Sequence, residues 1–119
     1  MNNEELKTKR KEILGEMIEL LNKKPKSSSP HYCYTGILIQ YDLMKRDCLK
    51  KYEELSPLYD MEKIKKVYGM SDNISKILTD LKEKLSLPSW SLCPGYHQKI
   101  SLTICQWLLD WENKIARIC

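Results

Sequence analysis

From Tyr32 to Leu55 apolar side chains recur at steps of three or four, through Tyr34, Ile37, Tyr41, Met44, Cys48, Tyr52 and Leu55, with Leu38 and Leu49 widening the face. Such steps collect side chains on one side of a helix with 3.6 residues per turn, whereas a half-buried strand needs steps of two. A long helix with one apolar stripe cannot be stable alone, so the rest of the chain must cover it. That requirement sets the fold class.

The remaining segments carry the same period. Residues 3–24 place Leu6, Ile13, Leu14, Met17, Leu20 and Leu21 on one face, with Glu4 and Glu5 at the start, Lys23 and Lys24 at the end, and Pro25 as a stop. Acids at the start and bases at the end both suit the helix dipole. Ser56 and Pro57 read as an N-cap and a first-turn proline opening a short helix with Leu58, Met61, Ile64 and Tyr68 inward, closed by Gly69. Ser71 and Asp72 open the next, with Ile74, Ile77, Leu78, Leu81 and Leu85 inward and Pro88 beyond its end. The last helix runs from about His97 to Ile118. Its stripe is Ile100, Ile104, Trp107, Leu108, Trp111, Ile115 and Ile118, and Leu102, Cys105 and Leu109 spill around it.

Strand-forming material is scarce: the chain has no Phe, one valine (Val67) and few alternating stretches. The reading is therefore all-α, an irregular bundle of four to five helices whose chain neighbours pack mostly antiparallel. With 119 residues, 42% apolar and 30% charged, the chain forms one domain, 1–119, with a core of its own. A polar linker spans 25–31. The segment 86–96 is a loop unusually rich in apolar side chains, Trp90, Leu92 and Tyr96 among them. The stripes of the second and last helices are expected to pack together, Ile100, Ile104, Trp107, Leu108 and Trp111 against Ile37, Tyr41 and Met44. Truncating Trp107 would then cost about 3–5 kcal/mol.

Motifs that carry chemistry are missing. There is no Gly-rich phosphate loop, no His-Glu-x-x-His, no Cys-x-x-Cys and no Gly-x-Ser-x-Gly. Asp110 with Glu112, and Glu53 with Glu54, fall on different helix faces and read as solvated carboxylates. His31, Cys33, Cys93 and His97 make up a Cys2His2 set suited in kind to tetrahedral zinc, but neither pair has diagnostic spacing. Buried thiols and helix-capping histidines explain them as well, so no metal and no cofactor is expected. The sequence reads as noncatalytic.

Five cysteines, an odd number without scaffold spacing, and an N-terminus lacking an apolar run point to a reducing compartment, cytoplasm or nucleus. The net charge of +4 is spread along the chain. Lys7, Lys9, Arg10, Lys11, Lys45, Arg46, Lys50 and Lys51 are the residues a nucleic acid would meet, with acids interleaved among them. The leading expectation is a protein-protein interaction module, adaptor or subunit of a larger intracellular assembly, meeting its partner through Trp90, Leu92, Tyr96, Leu102 and Leu109. A nucleic-acid-associated helical protein and a small zinc-stabilised domain are the alternatives.

Overall fold

A computed structural model describes residues 2–24, 34–62, 64, 71–86 and 94–118. Four long helices, α1 (Asn3–Leu21), α2 (Tyr34–Leu55), α3 (Ser71–Ser86) and α4 (Pro94–Ile118), make up the bundle, and there is no strand among the described residues. A 3-10 turn, Ser56–Leu58, extends α2.

Long-range contacts fix the order of the helices. Glu16 meets Lys51, and Arg10 reaches the Leu58 carbonyl, so α1 and α2 run antiparallel. Tyr52 donates from its hydroxyl to the Leu78 carbonyl at 3.0 Å, which sets α3 antiparallel to α2. Gln98 meets the C-terminal end of α1 while Glu112 meets Arg10 near its start, so α4 runs antiparallel to α1. The neighbours around the ring are α1 with α2, α2 with α3, α3 with α4, and α4 with α1. This is an up-down-up-down bundle.

Each helix end has a local cause. Asn2 caps α1, its side-chain oxygen accepting from the Glu5 N–H at 2.8 Å. The helix ends at Leu21 rather than running through the two lysines, and its last carbonyls are taken up from elsewhere in the chain. The Gln98 amide donates to both Leu21 O and Lys23 O at 2.7 Å. Carbonyls at a helix C-terminus have no partner within the helix, so this side chain supplies a cap across the bundle and locks the start of α4 to the end of α1.

The cap expected at Ser56 lies at Asp60 instead. Pro57 sits within the 3-10 turn, and Tyr59 turns the backbone extended (φ −91°, ψ 97°). Asp60 then accepts from the Glu62 N–H through its carboxylate at 3.1 Å and from the Ile64 N–H through its carbonyl at 2.9 Å. The extended residue lets the Tyr59 ring turn into the core. Tyr68 and Gly69, assigned to the end of this short helix, lie outside the described residues.

The core runs the length of the bundle: Ile13, Leu14, Met17 and Leu21 of α1, Met44, Cys48, Tyr52 and Leu55 of α2, Ile74, Leu78, Leu81 and Leu85 of α3, and Cys105, Leu108 and Trp111 of α4. For α3 the buried face is the expected one, with Ile77 half-buried at its edge. For α4 the face is rotated. His97, Ser101, Cys105, Leu108 and Glu112 point inward, Ile100 and Ile104 are half-buried, and Trp107 is 42% exposed. The expected pairing of α4 with α2 is also corrected, because α4 lies chiefly along α1 and α3. Two small side chains, Ser101 and Cys105, let α4 approach closely there, and Glu112 has to face Arg10.

Cys48 and Cys105 lie close enough in the centre for Cys48 to bear on the titration of Cys105. Burial, with Asp47 adding to it, pushes the Cys48 thiol up to about 12, and burial followed by Cys48 pushes Cys105 well above its ordinary range. Both thiols are free and buried. Because the folded thiols ionise later than unfolded ones, the stability they contribute is complete below about pH 9 and drains away as pH rises toward 12. At pH 8 neither should react with a thiol reagent until the chain unfolds, because the thiolate is the reactive species. Mass spectrometry of the alkylated native protein, with these two sites read individually, checks this. Rapid labelling of either without loss of structure would contradict it.

Candidate interaction surfaces and a buried charge pair

The only buried ion pair among the described residues joins α1 to α4. Arg10 lies on the apolar side of α1, between the turns that carry Leu6 and Ile13, and its guanidinium donates to both Glu112 oxygens at 2.5 and 3.0 Å. A third donor reaches Leu58 O at 3.2 Å, and the guanidinium carbon stands 5.1 Å from the Tyr59 ring centroid. The Arg10 fork thus matches the carboxylate with two parallel bonds while its flat side faces an aromatic ring. Burial first, and then the Glu112 charge, drive the Tyr59 hydroxyl well above its ordinary pKa. That hydroxyl is buried beside the Arg10–Glu112 pair, and Glu112 acts on it by charge and by hydrogen bonding.

This cluster corrects two expectations. Arg10 is removed from the surface where a phosphate would meet it, and Glu112 is fully buried rather than solvated, while Asp110 is exposed as expected. Several other lysines and arginines are matched by carboxylates. Lys45 and Arg46 lie 3.8 and 3.1 Å from Asp42. Lys51 lies 2.5 Å from Glu16 and 3.8 Å from Glu54, and its hydrogen bond to Glu16 holds the ammonium above its ordinary range. Lys9 and Lys50 are exposed, and Lys7 and Lys11 half-buried. Four of the eight, Arg10, Lys45, Arg46 and Lys51, thus stand beside carboxylates.

Of the proposed Cys2His2 set, His31, Cys33 and Cys93 lie outside the described residues. His97 is buried, not a surface cap, with its ring edge-on to Tyr96 at 5.5 Å and 77°. Among the described residues no three His, Cys, Asp or Glu side chains converge as metal ligands would. No helix among them is long and apolar enough to cross a membrane.

Of the proposed partner-binding residues, Trp90 and Leu92 also lie outside the described residues. Tyr96 is 62% exposed. Leu102 and Leu109 are half-buried flanks of the core, so most of their surface is already covered within the chain. In their place stands Trp107. Eleven residues separate Tyr96 from Trp107, which returns a helix to within about 20° of the same direction and places the two rings about 16 Å apart along the outside of α4.

A second exposed pair was not anticipated from the sequence. Ile39 and Leu43 on α2 are 56% and 51% exposed, one turn apart, and Leu43 lines an open groove against the end of α1. Their four-residue spacing in a helix with a second, stronger apolar stripe was the available signal. Compared with known protein families, curated proteins and solved structures, the chain matches none of the three, so its function has to be argued from these surfaces.

Proposed function

We propose that this chain is a noncatalytic interaction module, an adaptor or subunit of a larger intracellular assembly, working in the cytoplasm or nucleus. The observation that carries the reading is the outward placement of Ile39, Leu43, Tyr96 and Trp107 on a bundle that has already enclosed its own core. Single exposed apolar residues are ordinary, but paired large ones at helical spacing give a partner a surface to bury. Trp and Tyr are also the residue types that most often dominate binding energy.

The test is affinity purification of the chain from its own cells, in parallel with two surface variants, Ile39→Glu with Leu43→Glu and Tyr96→Ala with Trp107→Ala. At least one variant should lose a partner that the parent chain retains, with its thermal unfolding unchanged within a few degrees. A partner set identical for all three chains would sink the reading.

A further inference from the structure

The groove between α1 and α2 has a chemistry specific enough to name its occupant. Its volume is about 560 Å3, and its apolar floor is made by Leu20, Leu43 and Met44. Ile39 continues that floor one turn along α2. Lys23 and Lys24 stand at one side, just past the end of α1, and Asp47 lines the α2 wall. Both lysines are exposed, and neither they nor Asp47 has an ionic partner among the described residues. The nearby lysines of α2 differ in this respect, since Lys45 and Lys51 are each paired with a carboxylate.

We infer that this groove docks a short amphipathic helix of another protein, acidic at the end that lies over Lys23 and Lys24 and apolar on the face that meets Leu20, Leu43 and Ile39. The inference deepens the interaction-module reading and rests on it. From Ile39 to Asp47 is about 12 Å, or two turns, so the occupant needs two apolar side chains at i and i+3 or i+4. A carboxylate near its first turn satisfies the lysines and agrees with its own helix dipole, and a basic residue further along meets Asp47. Electrostatic complementarity of this kind favours one orientation over its reverse. Because Ile39 and Leu43 are more than half exposed, the groove is an open trough, which suits a helix lying along it better than a small ligand that must be enclosed.

The test is selection from a displayed library of random peptides about four helical turns long, with the whole chain as bait. Selected peptides should carry Asp or Glu ahead of an apolar pair at i and i+3 or i+4. Both Leu43→Glu and the exposed pair Lys23→Glu with Lys24→Glu should weaken their binding at least about tenfold, with unfolding temperature unchanged. Failure to select any peptide, or selected peptides without acidic bias, would overturn the inference, as would binding indifferent to the lysine pair. Sedimentation of the parent chain as a dimer that Leu43→Glu makes monomeric would assign the groove to a second copy and overturn it too. If the selected peptides respond only to Tyr96→Ala with Trp107→Ala, the groove assignment falls while the interaction-module reading stands.

Discussion

Replacing Glu112 with alanine is expected to lower folding stability by about 3–5 kcal/mol, the cost of leaving a buried charge without its partner. Arg10 donates three hydrogen bonds, two of them to Glu112, and its side chain has little access to water. With the carboxylate gone, the guanidinium keeps one carbonyl and one aromatic face, far short of what hydration would give it. The pair itself need not be stabilising. Arg10→Met combined with Glu112→Leu removes both charges at similar volume and should return the chain to its parent stability, or exceed it by about 1–4 kcal/mol. Urea unfolding of Arg10→Met, Glu112→Leu and the double variant measures the coupling directly. If Glu112→Ala costs less than about 1 kcal/mol, the buried pair as described is wrong.

The two tryptophans of α4 should separate sharply. Trp111→Ala is expected to cost about 3–5 kcal/mol, since a buried ring leaves a large cavity that the helices close only in part. Trp107→Ala, one turn earlier, should cost less than about 1 kcal/mol, because much of that ring already meets water. Thermal or denaturant unfolding of the two variants side by side is the check. Equal losses would place Trp107 back in the core and remove one of the four residues on which the interaction reading stands.

What the sequence made legible depended on how sharply each helix divides its surface. In α3 the apolar positions fill one face and polar residues the rest, so Ile74, Leu78, Leu81 and Leu85 could be placed inward from periodicity alone. In α4 Ile, Leu and Trp occupy most directions, so the pattern shows that a helix exists without showing which way it points. Its rotation is fixed by residues the hydrophobic pattern ignores: Ser101 and Cys105, which allow close approach, and Glu112, which must meet Arg10. Those two partners are 102 residues apart, and nothing local to either marks it as half of a pair. Tyr59 was hidden for a related reason, since a residue in a non-helical turn has no period to betray its burial. Among the candidate site residues, Tyr96 was found through its place in an apolar segment. Ile39 and Leu43 carry no such mark, because they form a minor stripe beside the stronger one that α2 buries.

The Gln98 cap and the Arg10–Glu112 pair both tie α1 to α4, and that pairing joins two helices between which the ribosome makes α2 and α3. At about 5–20 residues per second, Arg10 is extruded roughly 5–20 seconds before Glu112 exists. During that interval the nascent chain carries α1 with one neighbour of its two, and the apolar side that α4 will cover faces solvent or a chaperone. The bundle therefore cannot close progressively behind the ribosome as a solenoid would. A product truncated before α4 would leave the Arg10 guanidinium without its carboxylate and the side of α1 that α4 covers exposed to water.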